Sequence, residues 1–223
     1  MWARRLGRAR GWRWMTAAVA ALAVAGAVSC GRLNKEGRSP SYLVIESLQA
    51  ASGAKPSEFG NTLASDVVTN VTVTVGSTQV SQATTFEDLG QVTMRMALKD
   101  AAASGVTASP SEVNNVTVTR YHVVFRRTDG LKGEGVDVPY AFDGAATGTI
   151  STSSNSVTFV LVRAQAKLEA PLRALRGGGG AVVLSTIADV TFYGQDQNGN
   201  AASVTGSISV NFADWGDPAS ANQ

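Results

Sequence analysis

Alternation of apolar and polar side chains governs the chain beyond residue 40. In "DVVTNVTVTV", Asp66 to Val75, Val67, Val71, Val73 and Val75 fall on one side, and Val68, Asn70, Thr72 and Thr74 on the other. A period of two in β-branched residues predicts a strand with one buried face. The same reading predicts strands at Tyr42–Ala50, Gln91–Lys99 and Asn115–Thr128. In the last of these, Tyr121, Val123 and Phe125 share a face and Arg120, His122 and Arg126 share the other. "SVTFVLVRAQAKL", Ser156 to Leu168, is apolar on both faces from Val157 to Val162, which predicts a central strand. Two long strand-like stretches close the chain, residues 181–194 and 203–214; in the second, Val204, Ile208, Val210 and Phe212 line up around Gly206. Residues 51–65 read as a loop, and a short strand is expected near Val138–Phe142 in a turn-rich connection.

Eight or nine strands separated by turn signals, and no long helix after residue 29, predict an all-β antiparallel sandwich over residues 41–212. Two small sandwiches in tandem, divided between Asp100 and Val113, are the alternative. The end "DWGDPASANQ", residues 214–223, reads with Ala213 as a loosely held tail.

The first 29 residues differ in kind. Arg4, Arg5, Arg8, Arg10 and Arg13 form a basic start without an acidic residue, and Met15 to Val28 is almost wholly Ala, Val and Leu. That run falls short of the ~20 apolar residues of a membrane-spanning helix and has the form of a secretory signal peptide. It ends in "AVSC", with the chain's single cysteine, Cys30, directly after small residues. This resembles the bacterial lipobox, although Ala27 stands where that family usually has Leu. The resemblance implies cleavage before Cys30, acylation of its thiol, a signal-peptide helix over residues 1–29, and a lipidated tether over residues 30–40. Gly31 at the next position implies sorting to the outer membrane. Arg4-Arg5 does not continue into a twin-arginine signal.

Loss of the leader reverses the charge balance. The whole chain has 19 Lys+Arg and 17 Asp+Glu; without the leader's five arginines, 14 basic residues face 17 acidic ones, a net of −3. No clustered basic face for nucleic acid remains. With Cys30 acylated, no thiol is left for a disulfide, so apolar burial and sheet hydrogen bonds must hold the fold.

Near the end, "VTFYGQDQNGNAASVTGSISVNF", Val190 to Phe212, resembles the closing hairpin of bacterial immunoglobulin-like domains. There an aromatic-rich strand, an Asp-x-x-Gly-Asn turn and a Thr/Ser/Val strand complete a sheet; Asp196, Gly199 and Asn200 hold those turn positions here. The resemblance implies an immunoglobulin-like sandwich and is nearly silent on function. The Cys and Trp core of antibody domains is absent from it.

Candidate chemistry is sparse. Asp196, Asn198 and Asn200 cluster oxygen-bearing side chains as a weak calcium candidate, but no bidentate acid follows at Ala201–Ser203, and a hairpin turn accounts for the same residues. One histidine, His122, and one cysteine cannot assemble a transition-metal site, and no cofactor is expected. His122 lies mid-strand beside no serine elbow, so no catalytic residue stands out. Gly177–Gly180 lacks the Lys-Ser/Thr of a phosphate loop, and Arg173 and Arg176 beside it supply only two charges for a lipid surface. Beyond the leader the only tryptophan is Trp215, and the tyrosines (42, 121, 140, 193) fit core packing better than a glycan platform. The Asn-Val-Thr sequons at Asn70 and Asn115 both fall in strands.

The expectation is therefore a non-enzymatic protein of the bacterial envelope. It is fastened to the membrane through lipid on Cys30, and it presents a sandwich to an envelope protein partner. A carbohydrate or small-ligand module is the first alternative, and a hydrolase with an unrecognised site the second.

Overall fold

A computed structural model describes residues 39–99 and 110–215; the leader, Cys30 and the rest of the tail lie outside the described residues. Ten strands occur among them: β1 (Ser41–Ala51), β2 (Thr62–Asp66), β3 (Thr69–Val75), β4 (Thr78–Thr84), β5 (Asp88–Leu98), β6 (Val116–Arg127), β7 (Phe142–Ile150), β8 (Asn155–Val162), β9 (Leu184–Asp196) and β10 (Ala201–Ala213). One short helix, α1 (Ala164–Leu168), follows β8. Two sheets stack as an all-β sandwich, one in the order β1-β5-β8 and the other β2-β10-β9-β6-β7; β3 and β4 form a separate ribbon. Strands before residue 100 pair with strands after residue 110 in both sheets, so the two halves of the chain share one core.

Where period-two alternation was clean, burial follows it. Val92, Met94 and Met96 of β5, Tyr121, Val123 and Phe125 of β6, and Ile208, Val210 and Phe212 of β10 all point into the core. Its centre is aromatic. The Tyr121 and Phe159 rings lie 5.0 Å apart, and Phe159 meets Phe192 edge-on at 5.2 Å, which ties β8 of one sheet to β6 and β9 of the other. Glycines make room for these rings. Gly90 pairs with Phe159 across β5 and β8, and Gly144 with Tyr121 across β7 and β6. A Cβ at either glycine would run into the ring opposite it.

Several expectations need correction. The Asp66–Val75 strand is broken: Val67 is buried, its N–H donates to Ala213 at 3.0 Å, and the chain then leaves the sheet. Val71, Val73 and Val75 therefore belong to the ribbon, in which β3 pairs, among the described residues, with β4. The expected loop 51–65 ends in β2, an edge strand that runs parallel to β10 and so departs from a wholly antiparallel sandwich. The short strand near Val138–Phe142 is a single bridge at Val138, and the strand proper is β7, beginning at Phe142. β8 stops at Val162 and turns into α1, and it lies at a sheet edge instead of the centre. It is apolar for another reason. The Tyr121 hydroxyl accepts the Val160 N–H at 3.2 Å, so β8 sits against the opposite sheet at the sandwich's closed side.

Gly90→Ala is expected to displace the Phe159 ring and destabilise the protein by about 1–3 kcal/mol, with an unchanged denaturant slope in urea unfolding. An unchanged midpoint would show that the ring is not packed on this glycine.

Candidate functional site

One corner of the sandwich gathers most of the unusual chemistry. Asp88, at the start of β5, is completely buried, and so is Lys167 of α1. Lys167 Nζ lies 2.9 Å from Asp88 Oδ1 and 2.8 Å from Oδ2. Two more donors complete the carboxylate: Ser65 Oγ of β2 donates to Oδ2 at 2.6 Å, and the Gly53 N–H to Oδ1 at 2.8 Å. A buried charge requires such partners, because losing water costs several kcal/mol per ion. A serine, a lysine and an aspartate thus meet, as a Ser-Lys hydrolase would require. All three are sealed from solvent, however, and the serine proton is directed at the carboxylate. The cluster ties four segments together.

Gly53 lies near the start of segment 52–61 between β1 and β2, which lines part of a half-open hollow of ≈ 530 Å³. Phe59, β2, Thr69 and Asn70 at the root of the ribbon, and Trp215 complete its wall. Lys55 and Glu58 pair with each other at 3.2 Å on its rim. Trp215 is not part of a loose tail. Its N–H donates to Asp66 Oδ1 at 3.1 Å, while Thr69 Oγ1 donates to Oδ2 at 2.9 Å. Asp214 accepts the Gly177 N–H at 2.5 Å, and Trp215 packs beside Gly180. Gly177, Gly179 and Gly180 adopt φ of +76°, +56° and +75°, so the glycine run is the turn that lets its loop meet Asp214 and Trp215. Trp215 Nε1 is buried without a hydrogen-bond partner among the described residues.

The calcium candidate is a self-satisfied turn. Asp196 Oδ1 accepts from the backbone N–H of Asn198 and of Asn200, both at 2.9 Å, and Asn200 Nδ2 donates to Oδ2, also at 2.9 Å. Gly199 supplies the positive φ (+76°) of the turn. Burial opposes ionisation of Asp196, but hydrogen bonds from Asn200, Ser39 and Asn198 outweigh it and hold the carboxyl below its ordinary value. Among the described residues, no group of three or more His, Cys, Asp or Glu could hold a metal ion.

His122 lies on the outer face of the five-stranded sheet, 3.2 Å from Asp143, which also takes Arg120 at 3.3 Å. On that face Arg120 also stacks over Tyr193, 3.9 Å from the ring centre. Arg126 and Ser207 both hold Asp189 there, at 2.9 and 2.6 Å. Burial works against the Asp189 charge, and these two donors overcome it to lower its pKa. The polar groups of this face satisfy one another. Arg176 reaches back to Thr85 and to the Lys167 carbonyl, both at 3.4 Å. The sequence offered no signal for Phe59, and it marked Trp215 without the neighbours that give it a setting. Among the described residues no helix is long and apolar enough to cross a membrane.

Lys167→Met leaves the Asp88 carboxylate buried without its cation and is expected to cost about 3–5 kcal/mol in urea unfolding. Adding Asp88→Leu should restore much of that loss; a single variant as stable as the parent would refute the tie. Asp196 and Asp189 both have lowered folded pKa values, so their contribution is full above the unfolded carboxylate value of about 3.9 and vanishes as pH falls through the lower folded values. Asp196→Asn should therefore lose less stability than the parent on acidification through that window, as thermal melts at stepped pH will show.

No family model, curated protein or solved structure matches the chain.

Proposed function

We propose that the protein is a lipid-anchored, non-enzymatic component of the bacterial cell envelope that offers its sandwich to a protein partner. The β3–β4 ribbon carries this reading. It pairs with neither sheet. From Val67 to Phe86 the chain has no charged residue. Val73 and Val80 face each other across the ribbon at 38% and 46% exposure, and Val75 beside them at 64%. A two-stranded ribbon is marginally stable alone in water, and uncharged β edges are templates for pairing with another chain. Such an element is suited to strand addition or face-to-face docking with a partner.

The anchor rests on the sequence. A basic start, a short apolar run and a cysteine after small residues support cleavage and acylation at Cys30. The described residues begin at Ser39, close in sequence to Cys30, which would keep the sandwich near a lipid surface, and Gly31 favours the outer membrane.

Intact-mass measurement of the protein purified from its native envelope is expected to give a chain that starts at Cys30 and carries lipid; one starting at Met1, or with a free thiol at residue 30, would end the anchoring half of the proposal. Cross-linking in envelope preparations should yield an adduct through the ribbon. Val73→Lys with Val80→Lys should abolish it while shifting the melting temperature little, since both side chains are already partly exposed. An adduct that survives the double substitution would place the contact elsewhere.

A further inference from the structure

The Asp88–Lys167 contact differs from an ordinary buried ion pair in how its donors and acceptors are matched. The carboxylate is saturated: the Gly53 N–H and Lys167 Nζ donate to Oδ1, and Ser65 Oγ and the same Nζ to Oδ2. The ammonium is not. It carries three N–H donors, and among the described residues only those two carboxylate oxygens accept from it. Lys167 is 1% exposed and Asp88 0%, so a surplus donor and two full charges sit out of solvent contact. Nζ lies 2.9 and 2.8 Å from the two oxygens, hence no more than about 3.5 Å from the carbon that joins them, the separation of a near-attack pair.

From these contacts we infer that Lys167 and Asp88 condense to an amide, a covalent cross-link between α1 and β5 that the folded chain forms on itself. One proton passes from the ammonium to Oδ2, leaving a neutral amine and a carboxylic acid, the form that a dry site favours. The nitrogen lone pair attacks Cγ to form the C–N bond. The C=Oδ1 pair moves onto Oδ1, where the Gly53 N–H stands at 2.8 Å to hold the oxyanion. Ser65 Oγ, 2.6 Å from Oδ2, gives that oxygen its second proton and takes one from the nitrogen, which bonds the same Oδ2. The Cγ–Oδ2 bond breaks, water departs and C=Oδ1 re-forms. One ammonium and one carboxylate become one amide and one water, so atoms and charge balance without an oxidant or activating group. Both buried charges and the surplus donor disappear together.

The surroundings suit this reaction. A Cβ at Gly53 would strike the Glu87 carbonyl, so the lack of a side chain lets the Gly53 N–H come this close to Asp88. The seal that denies the Ser-Lys-Asp cluster an external substrate is no obstacle to a reaction between two of its own members. The bond closes a covalent loop over 79 positions in a chain with a single cysteine, a constraint of the kind a disulfide imposes on an unfolded chain. It forms once per molecule and depends on neither the anchor nor the ribbon.

The test is the intact mass of the denatured full chain, with Lys167→Arg prepared in the same way as the reference, since a guanidinium does not condense. After correction for the substituted residue, the parent is expected to be lighter than the reference by one water. Trypsin, which needs a free lysine, should fail to cleave after Lys167, and the peptide holding Lys167 should be joined to the one holding Asp88. Ser65→Ala, confirmed as folded by circular dichroism, should slow condensation by about a hundredfold when mass is followed with time after synthesis. The parent's own mass decides the matter even if a variant does not fold. A parent chain of full mass, a lost water that maps to other residues, or folded Ser65→Ala condensing at the parent's rate would each overturn the assignment.

Discussion

The corner of this sandwich depends on one buried ion pair. Asp88 and Lys167 are 79 positions apart in sequence and lie on opposite sides of β6 and β7, yet they meet in a place no water reaches. An isolated charge there would be prohibitive, so the native arrangement must bring lysine, serine hydroxyl and glycine N–H to the carboxylate together. That requirement specifies geometry more than it adds stability. β5 belongs to the three-stranded sheet, β2 to the five-stranded one, α1 to neither, and segment 52–61 to the cavity wall. Only one docking of these four satisfies all the carboxylate's partners, so slippage of the short β2 against β10 would break the cluster. A five-residue parallel edge strand is a weak element by itself. Here the polar cluster supplies the constraint that its own ladder lacks.

The central core obeys a different rule, that of shape. Phe159 and Tyr121 each lie over the glycine paired with them, so the rings press flat against strand backbone where any side chain would hold them off. This explains why β7, "FDGAATGTI", is a strand despite a poor composition for one. Its glycines and alanines weaken the intrinsic preference, and the aromatic cover from β6 and the Phe142 edge-on contact with Tyr121 restore it.

These two rules mark what the sequence could disclose. Strands whose alternation reflects one buried face, β1, β5, β6, β9 and β10, were legible because the same burial that shapes them shaped their residue choice. The exceptions each involve a partner that no local window contains. Val71, Val73 and Val75 alternate as a buried strand does, but among the described residues their strand pairs with the polar β4, "TQVSQAT", and joins neither sheet. β8 looked central because the opposite sheet and α1 bury what a neighbouring strand would have. The Asp196 turn was readable from its own residues, since its donors lie within four positions. The cavity was not, because Phe59 and Trp215 stand 156 positions apart in the numbering and come to line one hollow in the fold.

Asp66 links the ribbon to the rest. Its two carboxylate oxygens hold Thr69, the first residue of β3, and the backbone of Trp215. One side chain therefore sets both the direction in which the ribbon leaves the sandwich and the position of an aromatic wall of the cavity. A force on the ribbon reaches Asp66 through Thr69 as well as the core through the backbone at Val67. Movement of Trp215 is felt at the same carboxylate from the other side. Two surfaces that differ in chemistry, an uncharged β ribbon and a polar aromatic hollow, thus meet at one carboxylate, each held by a different oxygen of Asp66.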